Sequence, residues 1–165
     1  MSARQDGSRF LLNLAPAVAV SPAVREAADP LVVNETEAVA LLGRDDLLDG
    51  DSNLAVSGAL RVAAELTGTV ARSAVVTLGG AGAVASDGVR QWHQPAPAAR
   101  EIRDTTGAGD AFTGVLAAIL AEGASLTDAV RAGVYAGTFA VAREGTTGSY
   151  PSRTELLSAM SRAAS

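Results

Sequence analysis

Short apolar runs alternate with longer stretches of helical periodicity along this chain. The most definite strand pattern is β-branched and apolar and covers residues 74–78, and apolar runs at 10–14 and 31–33 predict two earlier strands. Between these runs, the spacing of Ala, Val and Leu predicts helices at 35–42 and 52–66. The first part of the chain therefore consists of strands separated by helices.

The later part of the pattern predicts a hairpin followed by three helices. The hairpin strands are expected at 83–85 and 90–93, on either side of a turn at Asp87–Gly88. Further along, the pattern predicts a short strand at 101–103 and helices at 107–121, at 128–142 with Ser125 or Thr127 as cap, and from Thr154 onwards. Because strands alternate with helices, we expect an α/β fold of three α/β/α layers around a mostly parallel sheet.

Length and composition indicate a globular protein of about one domain. The chain has 165 residues, of which 48% are hydrophobic and 19% charged; only 4% are aromatic, so aliphatic side chains must build the core. A net charge of −5 argues against nucleic acid as a partner. No apolar run is long enough for a membrane span, and residues 1–9 do not resemble a signal peptide. These features predict a cytoplasmic protein.

Missing residue types narrow the possible chemistry. The chain has no Cys, and all 13 basic residues are Arg, so thiol catalysis, a P-loop lysine and a Schiff base are excluded. His93 is the one histidine, which excludes a two-histidine mechanism. Any catalysis must therefore use carboxylates, hydroxyls, Arg, Asn and backbone amides.

The most distinctive segment is Asp104–Asp110, with the sequence Asp-Thr-Thr-Gly-Ala-Gly-Asp. A glycine-rich turn that leads directly into an apolar helix leaves the first amides of that helix unpaired, and the helix dipole makes them an anion site. Asp110 lies in the first turn beside that site. Its carboxylate either takes part in chemistry or only complements the helix dipole, although dipole complementation does not require the Gly-Ala-Gly run.

This segment resembles the DTxGAGD signature of the ribokinase-like (PfkB) carbohydrate kinases. Residues 34–37, Asn-Glu-Thr-Glu, resemble the NxxE motif of that family, and residues 77–82, Thr-Leu-Gly-Gly-Ala-Gly, resemble its nucleotide-binding loop. Residues 12–17 are similar to the strand that precedes NxxE in ribokinases. The resemblance runs from Phe10 to Pro151 and implies the fold of the C-terminal, nucleotide-binding and catalytic part of the family domain.

The resemblance implies a kinase that transfers the γ-phosphate of ATP to a sugar hydroxyl. It assigns Asp110 as the general base and the amides of Gly107, Ala108 and Gly109 to the transferring phosphoryl group. It assigns the nucleotide phosphates to Thr77 and Gly79, places the turn that contains Gly79, Gly80 and Gly82 beside the nucleotide, and gives Gly109 both a catalytic and a nucleotide-binding role.

Two cations are also implied by the resemblance. Asn34 and Glu37 would orient a magnesium ion (Mg²⁺) through its water shell. Asp104 and the carbonyl of Thr106 would belong to the potassium ion (K⁺) site of potassium-activated members, which carbonyls near Ala142 and Gly145, with Ser149, would complete.

Structural alternatives exist for several of these residues. Asn34 and Glu37 have the spacing of a helix capping box, and Gly79–Gly82 has the composition of an ordinary turn. Trp92 and His93 are expected to pack in the hairpin. Val115 departs from the signature, which usually has Ala or Gly there, and a local repacking is expected.

Family members are considerably longer, and the segment that precedes this chain in them carries the lid and the sugar-gripping residues. We therefore expect a sheet with an exposed apolar edge, a chain of low stability or one that self-associates, and a homo-oligomer or a complementing N-terminal segment as partner. A catalytically silent nucleotide-binding module, or a kinase of a nucleoside or sugar phosphate, remains an alternative. A dehydrogenase is disfavoured because 79–82 lacks the full GxGxxG spacing.

Overall fold

The structure is a computed structural model of the chain. It describes residues 8–16, 18–44, 47–48, 54–98, 102–143, 145 and 147–162. The predicted cap Ser52, Glu101 and most of the acidic loop at 45–51 lie outside the described residues. The chain divides into two compact units, 1–93 and 94–165, and each is described by itself.

A five-stranded sheet organises the first unit. Its strands, in spatial as well as chain order, are β1 (Leu12–Asn13), β2 (Leu31–Asn34), β3 (Ala74–Thr77), β4 (Ala83–Ser86) and β5 (Gln91–Gln94). The β1–β2 and β2–β3 pairs are parallel, whereas β3 and β4 are antiparallel. In this unit, the hydrophobic pattern correctly predicted strands near 10–14, 31–33 and 74–78 and the two strands of the hairpin.

Three helices accompany these strands: α1 (Pro22–Ala27), α2 (Glu35–Leu42) and α3 (Val56–Thr69). Helix α2 ends as predicted, at Gly43 in the left-handed region (φ +64°). Helix α3 continues three residues beyond the predicted end at Leu66. Thr67 and Thr69 are tolerated there because their hydroxyls donate to the carbonyls four residues earlier, at 2.8 and 2.7 Å. Helix α1 was not predicted, because six residues are too few to show a helical period and none of them is buried.

Aliphatic side chains build the core of this unit, as the low aromatic content predicts. Its largest fully buried members come from both the strands and the helices: Leu31, Val33, Val39, Val62, Leu66, Val76 and Val84. The central strands β2 and β3 are therefore buried on both sides, which explains why they are continuous apolar runs rather than alternating ones.

The second unit contains the helices α4 (Ala108–Ala121), α5 (Leu126–Val141) and α6 (Arg153–Arg162). Ser125 caps α5, since its Oγ accepts from the N–H of Asp128 (3.1 Å), so α5 begins two residues before the predicted start. The predicted strand at 101–103 is wrong for its described residues. Instead, the N–H of Arg103 donates to Val141 O at the end of α5 (2.8 Å).

Helices α4 and α5 pack closely in this unit. Phe112 of α4 lies directly against Gly133 of α5, where an added Cβ would be 3.0 Å from both the ring and the carbonyl oxygen of Phe112. Val115, the departure from the family signature, packs beside the small side chains of this interface. None of the helices within the described residues is long and apolar enough to cross a membrane.

Ser152 and Glu155 fix the start of α6. The Glu155 carboxylate accepts from the N–H and the hydroxyl of Ser152 (both 2.8 Å) and from Arg143 Nη2 (2.6 Å). These bonds, the backbone one foremost, lower the pKa of Glu155 to about 2. This capping box explains why α6 begins at Arg153, one residue before the predicted Thr154.

Candidate active site

The first two predicted motifs meet at the carboxyl ends of β2 and β3. Asn34 is the register partner of Thr77 across the two parallel strands, and Thr77 Oγ1 donates to Val33 O (3.4 Å). In an open parallel sheet, ligands bind outside this edge. The structure therefore brings the start of the NxxE-like motif and the start of the glycine-rich loop side by side.

Asn34 and Glu37 form a capping box at the start of α2. Asn34 Oδ1 accepts from the N–H of Glu37 (2.9 Å), and Glu37 Oε2 accepts from the N–H of Asn34 (2.8 Å). The predicted capping box is thus confirmed by both of its hydrogen bonds. It occupies one carboxylate oxygen, and no hydrogen bond from the described residues reaches Glu37 Oε1. The capped pair therefore retains an oxygen that a hydrated cation can use.

A cage of protein ligands for a metal ion is not present around this pair. Within the part of the chain that the structure describes, no three His, Cys, Asp or Glu side chains are grouped closely enough to hold an ion. Mg²⁺ differs from other cations in keeping several waters and needing few direct carboxylates. The residues present fit a water-mediated Mg²⁺ contact and do not fit a directly ligated structural metal.

The glycine-rich loop forms a short 3₁₀ turn over Gly79–Ala81. It is closed by the N–H of Leu78 donating to Gly82 O (2.8 Å) and by the N–H of Gly82 donating to Gly79 O (3.1 Å). Gly79 (φ +50°) and Gly82 (φ +95°) occupy conformations that favour glycine. The N–H of Gly82 is used inside the turn, whereas those of Gly79 and Gly80 make no hydrogen bond with the described residues. These two exposed amides remain available to phosphate oxygens.

His93 contacts this same turn, which the sequence did not predict. Its Nε2 lies 2.7 Å from Ala81 O. The sequence offered one hint of this contact. His93, the sole histidine of the chain, lies on the second strand of the hairpin that follows the glycine-rich segment. The contact depends on the register of the hairpin, which no local pattern specifies.

In the second unit, Asp104 and Gly107 shape the start of α4. Asp104 Oδ1 accepts from the N–H of Thr106 (2.8 Å), and this backbone bond is the main cause of a lowered pKa at Asp104. Gly107 is in the left-handed region (φ +79°), so it turns the chain into the helix without a side-chain cap. The segment therefore enters α4 with its first amides uncovered, as predicted.

Two of the first amides of α4 are unpaired among the described residues. The N–H of Ala108 donates weakly to Thr105 O (3.3 Å), whereas those of Gly109 and Asp110 have no such partner. The side chain of Asp110 is exposed, while Ala111 and Phe112 point into the core. This orientation places the carboxylate at the surface rather than in the interior.

The loop that follows α5 approaches Asp104. A hydrogen bond from the N–H of Gly145 contributes to the lowered pKa of Asp104, and the N–H of Asp104 itself donates to Val141 O (3.3 Å). Asp104 and the residues near Ala142 and Gly145, which the resemblance assigns to one cation site, are therefore neighbours.

A separate cavity of about 310 Å³ lies along the first turns of α3 and contains none of the predicted site residues. Its lining residues are Arg44, Leu47, Leu54, Ala55, Ser57, Gly58, Arg61, Val62 and Glu65. The candidate residues of the first unit lie at the sheet edge, outside this cavity.

Residues 2–153 match the family described as pfkB family carbohydrate kinase. The chain belongs to this family. Over 155 residues it is 31% identical to the ribokinase of Haemophilus influenzae. The aligned stretch covers 94% of this chain and 48% of that protein.

Solved structures agree with this assignment. The Arabidopsis thaliana ribokinase complexed with ribose and ATP is 25% identical, with a TM-score of 0.78 over 92% of this chain and 47% of its own. The Escherichia coli phosphofructokinase-2 in complex with potassium is 29% identical, with a TM-score of 0.71 over 87% of this chain and 43% of its own. The ribokinase-like α/β fold is thus confirmed, and this pfkB-family chain spans about half the length of the relatives it matches.

Proposed function

We propose that this chain supplies the nucleotide-binding and catalytic part of an ATP-dependent kinase that phosphorylates a sugar hydroxyl. The observation that carries the proposal is the start of α4, where an exposed Asp110 follows the amide of Gly109, which is unpaired among the described residues, in a Gly-Ala-Gly turn. Phosphoryl transfer asks a protein mainly to position groups and to stabilise charge, and these are the groups it needs.

In the proposed reaction, Asp110 accepts the proton of the acceptor hydroxyl as its oxygen attacks the γ-phosphorus of ATP. A new P–O bond forms, the bond from the γ-phosphorus to the bridging oxygen breaks, and ADP leaves with that electron pair. The amides of Gly107, Ala108 and Gly109 stabilise the negative charge on the transferring group, aided by the positive end of the α4 dipole. The exposure of Asp110 supports its role as base.

The nucleotide phosphates are assigned to Thr77 and to the exposed amides of Gly79 and Gly80, while Gly82 gives the turn its shape. Asn34 and Glu37 would hold Mg²⁺ through water, and the ion supplies charge neutralisation on the phosphates. Asp104 and the carbonyl of Thr106 would bind K⁺, which the potassium complex of the similar phosphofructokinase supports.

The acceptor is proposed to be a sugar because the similar Arabidopsis enzyme is complexed with ribose and ATP. The similarity to a phosphofructokinase supports a sugar phosphate as an alternative acceptor. A nucleoside is the other alternative acceptor, and the experiment below includes both. Because the chain spans about half the length of its relatives, a nucleotide-binding module without turnover is the second candidate.

The decisive experiment compares the chain with its Asp110→Asn variant in ATP turnover against a panel of sugars, sugar phosphates and nucleosides. We expect Asp110→Asn to lower kcat by about 100-fold or more while ATP affinity stays within about twofold, because only the base is lost. Asp128→Asn is the matched control, since Asp128 is the first-turn acid of α5, and its turnover should equal that of the unmodified chain. Unchanged turnover in Asp110→Asn removes the base assignment, and ATP binding without any turnover supports the silent module.

A further inference from the structure

We infer that His93 is a positioning residue for nucleotide binding, which holds the turn at Gly79–Ala81 in place from the neighbouring hairpin strand. This inference rests on the proposed function of that turn. Nε2 of His93 lies 2.7 Å from the carbonyl oxygen of Ala81. Because a carbonyl oxygen only accepts, Nε2 must carry the proton, and the hydrogen bond therefore persists whether the imidazole is neutral or protonated.

The turn joins the paired strands β3 and β4, whose last register pair is Thr77–Ala83, and its own side chains add little to hold it. Glycine at 79 and 80 provides no side chain for packing, and an added Cβ at either position would meet nothing within 4 Å. Leu78 anchors the start of the turn by burial, whereas Ala81 at its end is exposed. Among the described residues, the bond from His93 is the one side-chain hydrogen bond made to residues 78–82. Without it, the end of the turn depends on its own backbone bonds.

The position of His93 is itself fixed by β5. This strand is hydrogen-bonded beside β4 in the sheet, and the preceding residue, Trp92, is partly buried with the Arg90 guanidinium 5.7 Å above its ring. Through Ala81, β5 thereby holds the part of the turn that adjoins the exposed amides of Gly79 and Gly80. Preorganised donors of this kind bind an anion without an ordering cost at the moment of binding.

The first test measures the turn without nucleotide, by hydrogen–deuterium exchange of its amides. We expect His93→Leu to accelerate exchange at the amides of Ala81 and Gly82 severalfold, because these donate within the turn, to Leu78 O (2.9 Å) and to Gly79 O (3.1 Å). His93→Gln, whose amide nitrogen can donate from a similar position, should restore protection. Gln91→Leu, at an exposed position two residues earlier on the same strand, is the control and should leave these amides unchanged. Equal exchange in His93→Leu and the unmodified chain would overturn the inference.

The second test measures nucleotide affinity through Trp92, which is the single tryptophan and adjoins His93. We expect His93→Leu to weaken ATP binding about fivefold, the effect of one hydrogen bond, with kcat nearly unchanged and adenosine affinity unaffected. His93→Gln should return ATP affinity to within about twofold. If the unmodified chain binds ATP and His93→Leu binds it equally well, the inference alone fails. If the unmodified chain binds no ATP, the proposed function fails and the inference with it.

Discussion

At the scale of single residues, Asn34 and Glu37 show how one pair of side chains can satisfy two interpretations. Their reciprocal hydrogen bonds cap α2, and capping alone would explain both residues. Glu37 is buried in the first turn of α2, and its capping partner Asn34 ends β2 beside Thr77 of β3. Capping and cation binding are therefore compatible, and variants that separate the two are needed.

Glu37→Gln separates them, because Gln serves in a capping box as well as Glu but carries no charge. We expect its free energy of unfolding in urea to stay within about 0.5 kcal/mol of the unmodified chain. We also expect the Mg²⁺ concentration that half-supports ATP binding to rise about tenfold, as for an outer-shell ligand. Glu37→Ala should lose both functions, with a destabilisation of about 1 kcal/mol. An unchanged Mg²⁺ requirement in Glu37→Gln would leave capping as the one role of this residue.

Sequence identified the motif residues but not all of their contacts. The positions of Asp110 in a first helical turn and of Asn34 in a capping box could be predicted because both depend only on residues a few places away. The contact of His93 with Ala81 joins residues twelve positions apart across a hairpin. Its existence depends on strand register, which local patterns do not determine.

At the scale of elements, predicted boundaries were accurate where a local signal ends the helix. Gly43 and Gly123 follow α2 and α4 with positive φ, as expected of helix stops. Boundaries failed where tertiary contacts decide them. Residues 102–103 remain irregular because Arg103 bonds to Val141 in α5, and β1 is shorter than the apolar run that predicts it. Local capping is therefore the more reliable guide to these elements.

The close packing of α4 against α5 gives a prediction at this scale. Gly133→Ala places a methyl group 3.0 Å from the ring and the carbonyl oxygen of Phe112, so we expect a destabilisation of about 1–3 kcal/mol from overpacking, partly offset by helix propensity. Gly114→Ala is the matched control, because nothing lies within 4 Å of its added Cβ. It should be neutral or stabilising by up to about 1 kcal/mol. Urea unfolding of both variants checks this, and equal stabilities would show that the interface is not tight.

At the scale of the whole molecule, the outer side of β1, the edge strand of the sheet, is the feature with a testable consequence. Leu12 and Leu14 donate their N–H groups towards β2, to Pro30 O and Val32 O (both 3.0 Å). Backbone groups alternate along a strand, so those of Asn13 face away from β2. Among the described residues, no strand pairs with β1 on that side. Unpaired edges of this kind are templates for another strand.

We therefore expect the chain to self-associate through β1 at micromolar concentrations, helped by nearby exposed apolar side chains such as Phe10 and Val18. Asn13→Pro should abolish this association, because it removes a donor from the open edge while the donors to β2, at Leu12 and Leu14, remain. Asn13→Ala keeps the N–H and should associate like the unmodified chain. Sedimentation velocity over a range of concentrations measures all three. A chain that stays monomeric at all concentrations, with ordinary stability in urea, would contradict this prediction. An unprotected parallel edge beside apolar side chains is expected to pair with another strand.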